Sequence, residues 1–320
     1  MHDYRVFGGV LRSELEFPEL RRTHAAFPDW TLVCGAPSDL AASSVASLGE
    51  PLGEANVDHG VDVRSYRVAD GFRLAYDDSG VFDISGDGRR ITWHPMPTAD
   101  LAAVRLDVLG RVLAFTLHAS GWLTLHGSAV ALSSGAIAFL APKGSGKSTL
   151  AFAMMRAGAT LLSDDTVAVD SSTPLYVRPG VESVRLLNDS AERLAGRASV
   201  ASSLGKATFA ADHRLEPITR VPLDAVYLLE SAAPDAPCVE RELLGGPPAV
   251  FGVLAETKIG SLLGGTEAHT LFDRVVTLAE NASVYRLRVA RNYDALDLVV
   301  DTIMDWHSMS RSREVTQSTR

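Results

Sequence analysis

One stretch near the middle of the chain constrains the fold more than any other: LAPKGSGKSTLAF, from Leu140 to Phe152. An apolar run, AIAFLA, leads into it, and apolar residues at helical spacing follow it. A strand, a glycine-containing loop and a Gly-Lys-Ser sequence opening a helix form the context of a phosphate-binding loop. Gly144 and Gly146 can adopt backbone angles that residues with a β-carbon resist, so backbone amides can turn toward an anion. The sequence therefore predicts a nucleotide site in an α/β fold.

The side chains of this loop have specific expected roles. Lys147 can reach the β- and γ-phosphates of a nucleoside triphosphate, and Ser148 can supply a hydroxyl to Mg²⁺. Ala141 stands where the usual pattern has glycine, and a small residue suffices there if its φ angle stays negative. The expected cofactors are therefore ATP and Mg²⁺. The residues predicted to bind them are Lys143, Gly144, Ser145, Gly146, Lys147, Ser148 and Thr149.

A pair of carboxylates, Asp164 and Asp165, follows the next predicted strand. If that strand lies beside the loop strand, its end places the pair at the same sheet edge as the phosphates. One carboxylate would help to hold Mg²⁺, and another would take the proton of an acceptor hydroxyl. The alternative is a plain β-turn between two strands, which Asp pairs often form. His126, which lies 21 residues before Lys147, is a further candidate, although a lone histidine is more often structural.

The rest of the chain divides by its pattern of residues. The first 95 residues show short strands separated by turn signals, which is typical of a β-rich unit, with a loop at Pro37–Asn56. Apolar residues at helical spacing between Leu101 and Leu113 then predict a helix, and two apolar runs predict a strand pair that leads into the loop. The predicted strands of the first part are Tyr4–Val10, Val63–Val68, Phe72–Tyr76, Val81–Ser85 and Arg90–His94, and the later helices are Ser148–Ala157, Pro247–Lys258, Glu267–Asn281 and Tyr293–Trp306.

Charge and composition narrow the partners and the location. The formal net charge of −9 argues against a nucleic-acid partner, because binding phosphate backbones needs a basic face. The two cysteines lie far apart and outside any CxxC pattern, so neither a zinc site nor a disulfide framework is indicated. The first residues lack the profile of a signal peptide, and the longest apolar run is too short to span a bilayer. We therefore expect a cytoplasmic protein that does not bind membranes.

These residues together resemble the HPr kinase/phosphorylase family. The sequences LHGSAVAL, GSGKST and LLSDD occur in the family's order and at similar spacing, so the resemblance is close over Leu123–Asp170. The segments GKATF, LDAVYLLE and VYRLRV resemble related kinases more loosely. The opening FGGVLRSELEFPEL is similar to the start of HPr-kinase-related proteins, some of which belong to gene clusters for ribosomal peptides, including lasso peptides.

The resemblance implies a fold and a division of the chain. The expected fold is α/β, with a P-loop kinase core of the HPr kinase and phosphoenolpyruvate carboxykinase type. The expected domains are a smaller β-rich N-terminal domain at residues 1–95, an HPr-kinase-like P-loop catalytic domain at residues 96–308 and a disordered tail at residues 309–320. A homo-oligomer is compatible with the resemblance, because HPr kinases form hexamers.

The resemblance also implies roles for the candidate residues. Asp165 would be the proton acceptor, Asp164 would assist the metal, and His126 would lie near the γ-phosphate or the acceptor. With Lys147 as the phosphate-binding lysine, this set implies an ATP-dependent kinase that phosphorylates a serine hydroxyl. The implied substrate is a peptide or small protein, such as a lasso-type precursor peptide.

The sequence departs from the family in one segment. HPr kinases carry a metal-binding glutamate after an EIRG-like sequence, whereas LYVRPGVESVRL has no glutamate before Arg178, and Glu182 lies at a different position. The departure argues against HPr as the substrate and against a retained phosphorolysis reaction. Arg178, Arg185 and Lys206 are candidates for binding a phosphate or carboxylate of the substrate.

Three alternative functions remain open from the sequence. The missing glutamate favours a non-catalytic, nucleotide-sensing regulatory protein, whereas the aspartate pair argues against it because a sensor needs no proton acceptor. The second alternative is an HPr kinase proper. The third, an ordinary P-loop ATPase, is the least favoured, because LSGGQ-type and NKxD motifs are absent from the sequence.

Overall fold

A computed structural model describes residues 1–38, 48–57, 60–195, 200–201, 206–210 and 219–308. These residues form a mixed α/β protein with two compact units. Unit 1 comprises Met1–Thr124 and Thr257–Val275, and unit 2 comprises Leu125–Glu256 and Val276–Arg320. The expected disordered tail lies outside the described residues. Within the described part, no helix combines the length and the apolar character needed to cross a membrane.

The elements are numbered in chain order over the described residues. The strands are β1 (His2–Val6), β2 (Gly9–Ser13), β3 (Arg21–Thr23), β4 (Trp30–Cys34), β5 (Glu50–Val57), β6 (Val61–Val68), β7 (Gly71–Tyr76), β8 (Gly80–Ser85), β9 (Arg90–Pro95), β10 (Leu123–Leu125), β11 (Gly127–Leu132), β12 (Gly135–Leu140), β13 (Thr160–Ser163), β14 (Val167–Asp170), β15 (Tyr176–Arg178), β16 (Ser183–Leu187), β17 (Val200–Ala201), β18 (Lys206–Ala210), β19 (Val221–Ser231), β20 (Val239–Leu244) and β21 (Ser283–Val289). The helices are α1 (Leu101–Asp107), α2 (Leu113–Ala119), α3 (Lys147–Arg156), α4 (Asn188–Ala195), α5 (Pro247–Ala255), α6 (Gly265–Asn281) and α7 (Leu296–Ser308), with a π-helical turn at Val108–Val112 and a 3-10 turn at Gly260–Leu262.

Unit 1 is built on one sheet, whose order among the described strands is β3-β1-β2-β4-β9-β8-β7-β6-β5. From β5 to β9 each strand pairs with the next in antiparallel register, so this part is a meander of consecutive hairpins. Strand β4 pairs in parallel with both β2 and β9. The described residues before residue 96 are therefore rich in strands.

Two details of this region differ from the sequence prediction. The single strand expected at Tyr4–Val10 is a hairpin, because Phe7 and Gly8 take φ angles of 48° and 69° and turn the chain between β1 and β2. The polar stretch expected as a loop up to Asn56 contains β5, which pairs with β6 along its length. Backbone pairing with a neighbouring strand outweighs weak strand propensity here. Residues 39–47 of that expected loop lie outside the described residues.

The helical segment that follows belongs to unit 1. The expected helix is present as α1 and α2, which the π-helical turn joins. The ring of Phe115 on α2 packs edge-on against Phe72 of β7, with 5.6 Å between ring centroids. Because this helix packs on the N-terminal sheet, the first compact stretch runs to Thr124 and does not end at residue 95.

Asp107, at the end of α1, is an acid in a poorly solvated position. Its Oδ2 accepts a hydrogen bond of 2.5 Å from the Ser79 hydroxyl. Burial raises the pKa of Asp107 to about 7, and the nearby charge of Asp78 acts in the same direction. The folded protein therefore binds a proton here between pH 4 and pH 7 that the unfolded chain does not bind. Stability from this group is lost as the pH rises through that window.

His118, on α2, shows the opposite behaviour. Its Nδ1 accepts a hydrogen bond of 3.1 Å from Arg274, and its Nε2 lies 2.8 Å from a carboxylate oxygen of Glu267. Burial, with the charges of Arg274 and Arg67, lowers the pKa of His118 to about 3. Glu267, which also pairs with Arg67, accepts the Nε2–H hydrogen bond of the neutral ring. The unfolded chain binds a proton between pH 3 and pH 6.5 that the folded protein does not, so stability is lost as the pH falls through that window.

The two groups oppose each other, so their contributions to the pH dependence of stability cancel between about pH 4 and pH 6.5. Asp107→Asn keeps an oxygen acceptor for Ser79 and removes the titration. We expect this variant to lose stability on acidification more steeply than the wild type, by about 1.4 kcal/mol per pH unit. We also expect it to be more stable than the wild type at pH 8 by about 2 kcal/mol. Urea unfolding at pH 4.5, 6.5 and 8 measures both effects. Parallel pH profiles for the two proteins would contradict the prediction, and Asp70→Asn, in an exposed turn, is the control.

Unit 2 contains the predicted loop and is built on a second sheet. Six of its described strands run in the order β14-β15-β19-β12-β11-β13, and β21 pairs with β19 and β20. A small separate sheet has the order β16-β18-β17. The helices predicted from the sequence are present as α3, α5, α6 and α7, although α5 ends three residues earlier than expected. Apolar residues of α3 and α7 form one core with the sheet, in which the rings of Phe139 and Tyr227 stack at 5.7 Å.

The order of the strands beside the loop differs from the expectation. The strand that precedes Asp164 was expected to lie next to the loop strand β12, but β11 lies between β12 and β13. Strand β11 is antiparallel to both, with Gly127 opposite Leu140 and Ala129 opposite Ser163. The ends of β12 and β13 therefore point the same way, and the start of β11 lies with them. The predicted common edge is retained, although the predicted adjacency is wrong.

Candidate functional site

The loop between β12 and α3 has the backbone that the sequence predicts. Gly144 and Gly146 have φ angles of 82° and 91°, which favour glycine. A β-carbon added at either position would meet no atom within 4 Å, so the backbone angle, and not lack of space, requires glycine. In the described part, Phe7 and Asp165 are the residues other than glycine with positive φ, so Ala141 keeps a negative φ as expected.

Lys147 is the first residue of α3 and lies folded over this loop. Its side chain is only 6% exposed, and its Nζ donates hydrogen bonds to the carbonyl oxygens of Ala141, at 2.5 Å, and Pro142, at 3.1 Å. The helix dipole adds positive character at the same place. Lys143 is exposed, and the Ser145 amide donates to the Pro142 carbonyl at 3.3 Å, which closes the turn. The loop therefore carries one enclosed cation at the start of a helix, which suits an anionic ligand.

Asp164 is buried, and both oxygens of its carboxylate accept hydrogen bonds. Oδ1 accepts hydrogen bonds from the hydroxyls of Ser128, at 2.6 Å, and Ser148, at 2.8 Å, and Oδ2 accepts one from the Arg185 amide at 3.1 Å. Burial raises the pKa of Asp164, although these three hydrogen bonds favour the charged form. Ser128 was not predicted as a site residue, because a lone serine inside a strand gives no signal in the sequence.

The oxygens of Ser148 and Asp164 fit a magnesium ion. Mg²⁺ prefers hard oxygen ligands and uses few protein side chains when phosphate oxygens and water complete its shell. The Ser148 hydroxyl and the Asp164 carboxylate are in direct contact next to Lys147. No cluster of three or more His, Cys, Asp or Glu side chains suited to a metal occurs among the described residues.

Asp165 differs from Asp164 in its exposure and in its backbone conformation. Its side chain is 60% exposed, and its φ angle is 71°, in the left-handed region that Asp and Asn tolerate better than most residues. The two neighbouring carboxylates therefore differ in exposure, since Asp164 is buried and Asp165 is largely exposed. One oxygen of Asp165 lies 3.8 Å from Nε2 of His126, which directly precedes β11 and is partly exposed. The structure thus places His126 beside Asp165, close to the end of β13.

Glu256, which was not predicted from the sequence as a site residue, also lies beside His126. Its main-chain oxygen accepts a hydrogen bond of 2.6 Å from the His126 amide, and its Oε2 lies 3.9 Å from Nδ1 of the same residue. Burial raises the pKa of Glu256, and the charge of Lys147 acts in the opposite direction. In the sequence, Glu256 falls inside a stretch expected to be helical, where a single glutamate indicates only a solvated surface.

The remaining candidates have different surroundings. Arg178 donates a hydrogen bond of 3.0 Å to Asp170, within the β14–β15 hairpin, so a structural partner occupies its guanidinium. Arg185 contributes its main-chain amide to Asp164. Glu182 is partly buried just before β16, and Thr149 is partly buried in α3. The side chain of Lys206 lies outside the described part of the chain.

Comparisons with known proteins give a limited result. No protein-family model matches the chain, and no curated protein matches it. Among solved structures, the chain is similar to the Hpr(Ser) kinase/phosphatase from Coxiella burnetii, with 12% sequence identity over 61% of this chain and 96% of that chain, and a TM-score of 0.32. A likeness of this strength carries no argument about function. Function is therefore inferred from the mixed α/β fold and from the geometry of the site.

Proposed function

We propose that the protein is an ATP-dependent kinase that transfers the γ-phosphate to a serine hydroxyl of a peptide or small protein. The observation that carries the proposal is the pair of unlike carboxylates at one sheet edge, beside an enclosed lysine. Asp164 is buried and hydrogen-bonded to Ser148, whereas Asp165 is largely exposed beside His126. A nucleotide-binding site needs the first carboxylate, and a site that also transfers phosphate to an alcohol needs the second.

The binding part of the reaction uses the loop and the start of α3. The amides after Gly144 and Gly146 would receive the phosphates, and Lys147 would exchange its two loop carbonyls for phosphate oxygens. Ser148 and Asp164 would hold Mg²⁺, which when bound neutralises negative charge on the phosphates. The hydroxyl of Ser128 keeps the Asp164 carboxylate in place.

The transfer part of the reaction uses Asp165. A serine hydroxyl is too weak an acid to lose its proton unaided at neutral pH, so a base within hydrogen-bond reach speeds its attack. As the serine oxygen forms its bond to the γ-phosphorus, Asp165 takes the hydroxyl proton and ADP leaves with the electrons of the broken bond. His126, 3.8 Å from Asp165, would orient this carboxylate and lie near the transferring group.

The exposure of Asp165 supports a large acceptor, because a side chain that is 60% exposed can be reached by a chain segment. We therefore propose a peptide or small-protein substrate, such as a lasso-type precursor peptide. A cytoplasmic location, where ATP and Mg²⁺ are abundant, and a homo-oligomeric state belong to the same proposal.

The proposal is tested by measuring phosphoryl transfer from ATP to peptides. The full-length protein is incubated with ATP, Mg²⁺ and a panel of serine-containing peptides, including ribosomal precursor peptides, and the products are analysed by mass spectrometry. We expect at least one peptide to gain a single phosphate on serine, and the matching peptide with alanine at that position to gain none. Hydrolysis of ATP with no phosphorylated peptide in the panel would contradict the kinase assignment.

A further inference from the structure

The carboxylate of Glu256 has no part in the proposed transfer, yet it lies beside the groups that would receive phosphate. It is only 13% exposed and 3.9 Å from His126. The charge of Lys147 favours its ionised form against the effect of burial. A carboxylate with little access to water therefore lies where an anionic ligand is expected to bind.

Two anions that share one cation oppose each other. Lys147 is buried and Glu256 nearly so, and the positive charge of Lys147 favours the ionised form of Glu256. Phosphate groups that reach Lys147 would meet the same negative charge, and a low local dielectric strengthens the repulsion. Asp164 differs, because Mg²⁺ would offset its charge.

We propose that Glu256 is an internal counter-anion of the phosphate site, which competes with nucleotide phosphates for the positive charge of Lys147 and so sets the affinity for nucleotide. The inference rests on the nucleotide-binding part of the proposed function and not on its transfer step. Weaker binding would keep the site responsive to nucleotide concentration and would speed the release of ADP.

A substitution can remove the charge of Glu256 without removing its main-chain hydrogen bond. The hydrogen bond between the His126 amide and the Glu256 carbonyl persists whatever the side chain at this position. Glu256→Gln therefore removes the charge and preserves both the size of the side chain and the main-chain contact. Glu256→Ala is a second neutral variant, and Glu256→Asp retains the charge.

The experiment measures the dissociation constants of ADP and of inorganic pyrophosphate by calorimetry on the full-length protein. Two unit charges roughly 10 Å apart, at an effective dielectric constant of about 20, interact strongly enough to change a binding affinity by about tenfold. We expect both neutral variants to bind both ligands about tenfold more tightly than the wild type, and Glu256→Asp to stay within about threefold of it. The matched control is Glu240→Gln, which removes a charge on the exposed strand β20; its affinities should equal those of the wild type.

The outcomes separate this inference from the proposed function. Unchanged or weaker binding in a neutral variant that keeps the wild-type circular dichroism spectrum would overturn the inference and leave the kinase proposal standing. Tighter binding without transfer to any peptide would support the inference and contradict the transfer step. Failure of every form to bind ADP and pyrophosphate would overturn both.

Discussion

Replacement of Lys147 by alanine is expected to lower the affinity for ADP or ATP by at least about 100-fold and to abolish phosphoryl transfer. The reason lies in the position of the ammonium group, which is buried and donates hydrogen bonds to the carbonyls of Ala141 and Pro142 within the loop that we propose to bind phosphate. Charges in enclosed, preorganised sites contribute more to binding and transfer than charges in water. Calorimetry with ADP and Mg²⁺ measures the effect.

Lys143 provides the matched control for this experiment. It belongs to the same loop, but its side chain is exposed and lies on the other side of Gly144 along the chain. Exposed charges are screened by water and salt, so we expect Lys143→Ala to weaken nucleotide binding by less than about fivefold. Wild-type binding by a folded Lys147→Ala variant would show that the phosphate site lies elsewhere.

Asp165→Asn is expected to reduce transfer by a factor of about 10²–10⁴, with the affinity for ADP within about threefold of the wild type. Asparagine suits the test because it tolerates the left-handed backbone that Asp165 adopts, so the turn should keep its shape. Its amide cannot accept the proton of a serine hydroxyl. Single-turnover transfer from ATP to a peptide that the wild type phosphorylates gives the rate, and calorimetry gives the affinity.

The same variant separates the kinase from the nucleotide-sensing alternative. A sensor that uses the loop without catalysis would show no loss in any nucleotide-dependent property when Asp165 becomes asparagine. Undiminished transfer by Asp165→Asn would exclude this residue as the proton acceptor. Asp170→Asn is the control, since Asp170 pairs with Arg178 and lies outside the proposed chemistry.

The loop and its neighbours could be predicted from the sequence because they depend on local rules. Two glycines that need positive φ, and a lysine and a serine at a helix start, occur within 13 consecutive residues, Leu140–Phe152, and a strand directly precedes them. The aspartate pair was placed at the correct edge, although β11 separates its strand from the loop strand. The pair lies at this edge because β12 and β13 run in the same direction. The direction of a strand follows from the spacing of apolar runs and turns more readily than the identity of its neighbours does.

Other features could not be predicted because they depend on long-range contacts. Glu256 lies 109 residues after Lys147 in the sequence, and only the folding of unit 2 brings it to His126. Strand β5 has a polar composition and forms through pairing with β6. The compact units also differ from the expected boundary at residues 95 and 96, since α2 packs on β7 through the rings of Phe115 and Phe72.

The hairpin of β11 and β12 has a consequence for how such a site can change over evolutionary time. Its turn, Ser133 and Ser134, lies at the opposite end of the six-residue strands from His126, a distance of about 20 Å. A residue gained or lost in that turn would slide one strand past the other and move His126 and Ser128 relative to the loop. Sequence drift at this remote turn is therefore constrained by the chemistry at the other edge, while substitutions that keep its length are tolerated.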